Sequence, residues 1–183
     1  MTPTISIDPS WSLFLDRDGT INKRIVGDYV RDWDQFEFLE GAVEGIASFS
    51  SLFAHCIIVT NQQGIGKGLM SHEKLEDIHG QMMERIEANG GRIDQVYYCP
   101  NLASEMPLCR KPEPGMAIQA GIDFPAIVFH KSIMVGDTES DMEFGRRLNM
   151  KTVLVLDGSN AHIQADLKVH KLTDLLQYLI IEE

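Results

Sequence analysis

Carboxylates stand in closely spaced pairs at two places in the chain. Asp16 and Asp18 flank a single arginine in the motif DRDGT, directly after the apolar run 11–15. Alternate side chains of extended chain point to the same side, so these two carboxylates can share a metal ion or divide the roles of nucleophile and acid/base. A solvated acidic turn is the plain alternative. An EF-hand calcium loop starting at Asp16 is excluded, because it requires Gly and Glu where Ile21 and Gly27 stand.

The second pair is Asp137 and Asp141, which follows the apolar run 132–135 in the motif GDTESD. Asp137 comes just beyond the run, and Asp141 lies about one helical turn later. This spacing suits metal ligation by Asp137 and support of that ligand by Asp141. The alternative is an ordinary cap at the start of a helix.

Two loops carry groups that could bind phosphate. Residues 60–68 read TNQQGIGKG, in which the hydroxyl of Thr60 and exposed backbone N–H groups could form an anion-binding nest. It is not a Walker A loop, because Lys67 is followed by Gly instead of Ser or Thr. Arg110 and Lys111 are adjacent cations in a proline-fixed loop and could neutralise a phosphoryl group. A flexible turn and a solvated surface pair are the respective alternatives.

The elements that must position these residues alternate in type along the chain. Short apolar runs predict strands, and apolar residues at helical spacing between them predict helices, as in βα units with a parallel sheet. The predicted strands are 11–15, 56–59, 93–98, 132–135 and 152–156. The predicted helices are 41–53, 71–88 with Ser71 as N-cap, 115–122, one from about Ser140, and a terminal one capped by Thr173 with Leu175, Leu176 and Leu179 inside it. The polar clusters follow strands, where open α/β sheets bind ligands.

Composition limits the classes of partner. The chain has 183 residues, a length typical of one domain, and its net charge of −11 disfavours duplex nucleic acid and anionic membranes as partners. The first ten residues lack the charge and apolar run of a signal peptide, and no apolar run reaches membrane-spanning length. Three sparse cysteines predict free thiols in a reducing compartment. We therefore expect one cytoplasmic domain over residues 1–183, monomeric, with a small-molecule substrate.

Taken in order, the four clusters resemble the motifs of haloacid dehalogenase-like phosphatases over about residues 13–156. Within that superfamily the strings LDRDGTIN, VTNQQGIGKG, YYCP, CRKPEPGM and MVGDTESDM are most similar to heptose bisphosphate phosphatases and their histidinol-phosphate phosphatase relatives. The resemblance implies a Rossmann-like parallel sheet with helices on both faces. The segments 20–40 and 100–108 are too short for a cap domain, so we expect an open site.

The resemblance also implies a role for each motif residue. The implied catalytic residues are Asp16, Asp18, Thr60 and Lys111, the metal ligands are Asp16, Asp18 (by its carbonyl) and Asp137, the supporting residues are Asp141 and Thr20, and the expected substrate contacts are Asn61, Gln62, Arg110 and Tyr29. Asp16 would form an aspartyl-phosphate, and Asp18 would be protonated when substrate binds. Mg²⁺ would balance the charge of Asp16, Asp137 and a phosphate dianion against Arg110 and Lys111.

Two departures from the family pattern affect the implied chemistry. Relatives hold zinc with three Cys and one His, but this chain keeps only Cys99 and Cys109 of that set, so zinc is not expected. Thr138 replaces a lysine frequent in heptose phosphatases. The resemblance implies a sugar phosphate substrate, with heptose 1,7-bisphosphate first and histidinol phosphate second. A polynucleotide 3′-phosphatase and a non-catalytic binding protein are the remaining alternatives.

Overall fold

The computed structural model describes residues 3–182, which form a parallel sheet covered by helices on both faces. The strands are β1 (Ile5–Ile7), β2 (Ser12–Leu15), β3 (His55–Asn61), β4 (Gln95–Cys99), β5 (Ser132–Gly136), β6 (Lys151–Val155), β7 (Leu167–Val169) and β8 (Leu179–Ile181). The α-helices are α1 (Ala42–Phe49), α2 (His72–Glu87), α3 (Gly115–Asp123) and α4 (Glu139–Arg147), and short 3₁₀ helices span Trp33–Gln35, Ala103–Glu105, Phe129–Lys131 and Leu172–Tyr178. The predicted fold class is confirmed.

Strand order explains why the motif residues meet. The main sheet has six strands in the order β4, β3, β2, β5, β6, β7, and every neighbouring pair is parallel. Leu15, the last residue of β2, lies opposite Ile58 of β3 and Val135 of β5. The residues that follow these three strands therefore emerge side by side at one edge of the sheet.

Alternation of side chains along the buried strands creates two cores. Leu13 and Leu15 of β2 belong to the larger core, which also holds the apolar faces of α1 and α2. Phe14 between them points to the opposite face and packs in a second core with residues of α3 and α4. Because both faces are covered, the central strands are apolar at consecutive positions, as parallel strands usually are.

Side chains cap the N-termini of α2 and α4. Ser71 caps α2, since its hydroxyl accepts a hydrogen bond from the backbone N–H of Lys74. The helix predicted from about Ser140 begins at Glu139 with Thr138 as its cap: the Thr138 hydroxyl and the Asp141 carboxylate exchange bonds with each other's backbone in a capping box. Asp141 is thereby fixed at the first turn of α4.

The predicted terminal helix is wrong. Thr173 does not cap a helix; it lies inside the 3₁₀ helix Leu172–Tyr178, and Leu179 begins β8. β8 pairs in parallel with β1, a strand that the apolar pattern did not predict, as it did not predict β7. The run Leu-Ile-Ile has high β propensity, and a partner far away in sequence decides its conformation.

Two of the three cysteines are not the free thiols that the sequence predicts. Cys99, at the end of β4, and Cys109 are joined in a disulfide, so the expectation of free thiols is wrong for these two residues. Their Cα atoms lie 5.3 Å apart because the intervening loop returns to the end of β4. Cys56 on β3 is buried and free. In the part of the chain that the structure describes, no helix has both the length and the apolar character to cross a membrane.

Candidate active site

Asp16 and Lys111 form the buried centre of the candidate site. Asp16 directly follows β2, and its backbone N–H donates to the carbonyl of Val135 at 2.9 Å, which fixes the chain at the sheet edge. Lys111 Nζ lies 2.8 Å from Asp16 Oδ1 and 2.6 Å from Asp141 Oδ1, and it donates to the carbonyl of Val59 at 2.7 Å. Lys111 is 3% exposed, so this lysine has no solvent to replace these three partners.

Asp137 joins this centre from the end of β5. Asp16, Asp137 and Asp141 each offer a carboxylate oxygen within 4.8 Å of the others, and all three residues are buried. Burial raises the pKa of both Asp16 and Asp137, the charge of Asp141 raises both further, and the charge of Asp16 adds to the rise at Asp137. Three carboxylates beside one lysine leave an excess of negative charge, which a cation would relieve.

Gly19 allows this close approach between the first and fourth motifs. Its φ is +92°, and a Cβ built there would lie 2.0 Å from Asp137 Oδ2. Only glycine tolerates both the backbone conformation and the contact. The motif DRDG therefore needs its glycine so that Asp137 can reach the loop that carries Asp16 and Asp18.

Arg24 is a residue of this centre that the sequence analysis did not identify. Its Nη2 donates to Asp137 Oδ1 at 2.7 Å and to the backbone carbonyl of Asp18 at 3.0 Å, and lies 4.0 Å from Asp16 Oδ2. The charge balance expected from the sequence, in which Arg110 and Lys111 oppose Asp16, Asp137 and a phosphate dianion, does not include Arg24. The sequence feature that could have identified Arg24 is a cation a few residues past the first motif, in the segment expected to form the rim of the site.

The carboxylate of Asp18 is held by a set of donors. Arg17 binds both of its oxygens at 2.9 and 3.0 Å, and the side chains of Asn22 and Gln62 donate to them at 2.9 and 2.8 Å. Burial acts to raise the pKa of Asp18, but the charge of Arg17 and these hydrogen bonds outweigh it, so the pKa lies below its usual range. In this conformation Asp18 is ionised, unlike the protonated state expected with substrate bound.

Arg17 is itself anchored by a buried histidine. Its side chain has no exposure, and its Nη1 lies 3.1 Å from Nε2 of His79 on α2. Burial, and then the nearby charge of Arg17, lower the pKa of His79 to about 3. His79 is therefore neutral, and its free nitrogen lone pair accepts from the guanidinium. No sequence pattern links these two residues, which are 62 positions apart.

The end of β3 and the loop after it supply hydrogen bonds that position other site residues. Asn61 accepts from the backbone N–H of Lys111 at 3.0 Å and donates to its carbonyl at 3.3 Å, so it fixes the Arg110 and Lys111 loop against β3. Gln62 is 1% exposed and donates to Asp18 and to the hydroxyl of Thr60. Gln62 is not among the residues that line the cleft described below, and its predicted contact with substrate stays a prediction.

An open cleft of about 380 Å³ leads from the solvent to Asp16 and Lys111. Its wall includes all the other predicted contacts, Asn61, Arg110 and Tyr29, together with Thr60. Lys67, also in the wall, holds its ammonium 5.3 Å from the centre of the Tyr29 ring. Among the described residues, Arg110 Nη1 has no hydrogen-bond partner although it is buried, so the structure leaves a donor free in the cleft wall.

The two predicted supporting residues differ in what they contact. Asp141 binds Lys111 through Oδ1, and Thr138 donates to its other oxygen, so Asp141 orients the lysine. Thr20 is buried beside the first motif, and its N–H donates to the carbonyl of Arg17 at 3.2 Å. Within residues 3–182 the hydroxyl of Thr20 has no partner, so its contribution here is to the turn of the backbone.

The predicted site residues thus occupy one region of the molecule. The structure brings the four motifs together as the parallel sheet predicted, and it adds Arg24, Asn22 and His79. Buried carboxylates next to a lysine can attack an electrophile or hold a divalent cation, and the cationic cleft wall can receive an anionic ligand.

Comparisons with known proteins agree with this chemistry. A family model described as HAD-hydrolase-like matches residues 108–179. A D-glycero-alpha-D-manno-heptose-1,7-bisphosphate 7-phosphatase from Mycobacterium bovis is 41% identical over 138 residues, which is 75% of this chain and 73% of that protein. A D-glycero-beta-D-manno-heptose-1,7-bisphosphate 7-phosphatase from Pasteurella multocida is 37% identical over 80% of this chain and 82% of its own.

A solved structure extends the similarity to the fold. The crystal structure of a D,D-heptose 1,7-bisphosphate phosphatase from B. bronchiseptica, complexed with magnesium and phosphate, superposes with a TM-score of 0.83 at 25% identity and covers 91% of this chain and 98% of that one. Sequence and fold agree across most of both chains, so this chain belongs to the haloacid dehalogenase-like phosphatases and, within them, to the heptose 1,7-bisphosphate 7-phosphatase family.

Proposed function

We propose that this chain is a Mg²⁺-dependent phosphomonoesterase that removes the 7-phosphate of D-glycero-D-manno-heptose 1,7-bisphosphate. The observation that carries the proposal is the buried Asp16, paired with Lys111 at the inner end of a cleft that has Arg110 in its wall. A nucleophilic carboxylate and a cation at one end suit the reacting phosphate. A second cation in the wall suits the second phosphate of a bisphosphate.

The first half of the proposed reaction transfers the phosphoryl group to the protein. A carboxylate oxygen of Asp16 attacks phosphorus, and the bond between phosphorus and the sugar oxygen breaks. The sugar oxygen keeps the bonding electron pair and takes a proton from Asp18. Lys111 lies against Asp16, where its charge offsets the negative charge that grows on the transferring group. Thr60 is 1% exposed in the cleft wall, and its hydroxyl is a phosphate contact in this scheme.

The second half returns the site to its starting state. Asp18, now a carboxylate, accepts a proton from a water molecule whose oxygen attacks phosphorus. The bond between phosphorus and Asp16 breaks, its electrons return to the Asp16 carboxylate, and inorganic phosphate leaves. Arg17, Asn22 and Gln62 stabilise the ionised form of Asp18. They therefore favour its role as the base in the second half-reaction over its role as the acid in the first. Substrate binding must therefore weaken these bonds.

The donors around Asp16 fit Mg²⁺. Carboxylate oxygens of Asp16 and Asp137 and the carbonyl of Asp18 are the hard oxygen ligands this ion prefers, and the Arg24 guanidinium shows that the three oxygens converge on one cation. When bound, the metal would offset the charge of the carboxylates and of the phosphate. Zinc is still not expected, since the sulfurs of Cys99 and Cys109 are bonded to each other.

Steady-state turnover of the purified chain tests the substrate. The named relatives act on the alpha or the beta anomer, so both heptose 1,7-bisphosphates are assayed beside histidinol phosphate and an oligonucleotide 3′-phosphate. We expect the highest kcat/KM on one heptose bisphosphate, with release of the 7-phosphate. A higher value on histidinol phosphate or on the oligonucleotide overturns the proposal. The monomeric state, the cytoplasmic location and the lack of nucleic-acid or membrane partners stay predictions, of which sedimentation analysis tests the first.

A further inference from the structure

Arg24 reaches from the rim of the cleft to three oxygens at its inner end. Its Nη2 lies 2.7 Å from Asp137 Oδ1, 3.0 Å from the Asp18 carbonyl oxygen and 4.0 Å from Asp16 Oδ2. A guanidinium keeps its charge in proteins, so Arg24 is a charged ligand of this group of oxygens.

These oxygens are the ones that the rest of the site leaves for a cation. Asp16 Oδ1 and Asp141 Oδ1 are occupied by Lys111, and Asp141 Oδ2 accepts from the Thr138 backbone. What remains is Oδ2 of Asp16, the carboxylate of Asp137 and the carbonyl of Asp18. A divalent cation that uses hard oxygen ligands must take the same three groups.

We propose that Arg24 is an internal counter-ion of the metal site, which neutralises the metal ligands and must leave them when Mg²⁺ binds. The inference rests on the metal site of the proposed function. Two cations cannot share the same oxygens at contact distance, because their repulsion adds to the loss of ligand bonds. Each Mg²⁺ bound therefore breaks the ion pair between Arg24 and Asp137, and Arg24 weakens the apparent affinity for the metal.

The position of Arg24 allows such an exchange. The residue follows the buried Asn22 in a segment without strand or α-helix between β2 and α1, and its side chain is 44% exposed. The guanidinium can thus move into solvent without opening the core. Asp137 itself is buried, with its side chain 3% exposed, so its charge must stay compensated, and Mg²⁺ would take over that role as the guanidinium leaves.

Isothermal titration of the metal-free full chain with Mg²⁺, without substrate, measures the effect directly. We expect Arg24→Gln to lower the Kd for Mg²⁺ by about fivefold, the factor that corresponds to a partly exposed ion pair. Arg31→Gln is the matched control: it makes the same charge change in the same segment, but Arg31 pairs with Asp28 and not with the metal ligands. The control should stay within about twofold of the wild type.

Thermal unfolding gives a second readout that does not depend on titration heats. In EDTA, Arg24→Gln should unfold at a lower temperature than Arg31→Gln, and added Mg²⁺ should raise its Tm more. Arg24→Lys, which keeps a cation, should give a Kd between wild type and Arg24→Gln. An unchanged or higher Kd in Arg24→Gln overturns the inference and leaves the proposed function standing. Failure of both the wild type and Arg24→Gln to bind Mg²⁺ overturns both.

Discussion

Lys111 compensates the negative charge of two buried carboxylates at once. It lies between Asp16 and Asp141 and is almost fully buried. Removing one partner of a buried ion pair leaves an uncompensated charge and typically costs about 3–5 kcal/mol. Substitution of Lys111 would therefore mix a loss of stability with any loss of catalysis, so cleaner tests lie at Asp16 and Arg110.

Asp16→Asn is expected to remove turnover and keep the fold. The amide has nearly the shape of the carboxylate, and Lys111 retains Asp141 and the Val59 carbonyl as partners. It cannot form the acyl phosphate, so kcat should fall by more than about 10³-fold. Steady-state kinetics and circular dichroism check the two halves of this prediction. Asp77→Asn, the same change at an exposed carboxylate of α2, is the control and should keep wild-type activity. Full activity in Asp16→Asn would remove the nucleophile assignment.

Arg110→Ala is expected to act on substrate affinity. Arg110 is partly buried in the cleft wall with Nη1 free, and burial lowers its pKa, which makes a negatively charged partner favourable. We predict that KM for the heptose bisphosphate rises about tenfold, with kcat little changed, and that KM for a simple aryl phosphate moves far less. The same assays on Arg147→Ala, an arginine paired with Glu113 and Glu143, give the control. An equal fall of kcat on both substrates would place Arg110 in the catalytic centre.

At the scale of elements, α2 contributes more than apolar packing to the site. Its buried face carries Leu75, Ile78 and Met82, and among them His79 contacts Arg17 beneath the first motif. Arg17 in turn holds Asp18 through two hydrogen bonds. The helix therefore fixes the position of the candidate acid/base through a neutral histidine, and that neutral state depends on pH.

Stability should fall in acid because of His79. Its pKa is about 3 in the folded chain and about 6.5 when unfolded, so between these values the unfolded state binds a proton that the folded state does not. The stabilisation is complete above pH 6.5 and is lost as the pH falls. At pH 5 the loss is about 2 kcal/mol.

Urea unfolding at pH 7.5 and pH 5 measures how much stability the chain loses through His79. The wild type should lose about 2 kcal/mol more than His79→Gln between the two pH values, because the variant has no proton to bind there. His72→Gln, a change at an exposed histidine of the same helix, should behave like the wild type. If the wild type and His79→Gln lose the same stability, His79 is not held neutral.

At the scale of the whole molecule, the metal site is expected to serve catalysis and not the fold. Asp16 and Asp137 follow β2 and β5, which are already joined by parallel backbone pairing. Within the described residues, the groups close enough to share an ion are Asp16, Asp137 and Asp141. Removal of a metal from this cluster leaves the sheet intact.

EDTA should therefore abolish phosphatase activity and lower the Tm by less than about 4 °C, the shift that corresponds to about 1 kcal/mol in a chain of this size. Differential scanning calorimetry with and without EDTA, followed by restoration of turnover with Mg²⁺, checks both parts. Global unfolding in EDTA, or a stoichiometric zinc ion in metal analysis of the untreated chain, would contradict the prediction.

The order of the central strands and helices along the chain, and the meeting of the four motifs, could be predicted from the sequence. Apolar periodicity identifies the central elements, and parallel pairing sends Asp16, Thr60 and Asp137 to one edge of the sheet. Both signals are local, or follow from one rule of topology. For the same reason the motifs are specific enough to indicate the family from the sequence alone.

Only the tertiary structure decided which partners these residues have. Arg24 reaching Asp137, Gln62 turning from the cleft to Asp18, and Cys99 bonding to Cys109 each depend on how separate segments return to one another. The change of the C-terminal run 179–181 from predicted helix to a strand beside β1 has the same origin. Periodicity records which face of an element is buried, but a hydrogen bond or ion pair forms only where the folded chain places two groups within contact distance.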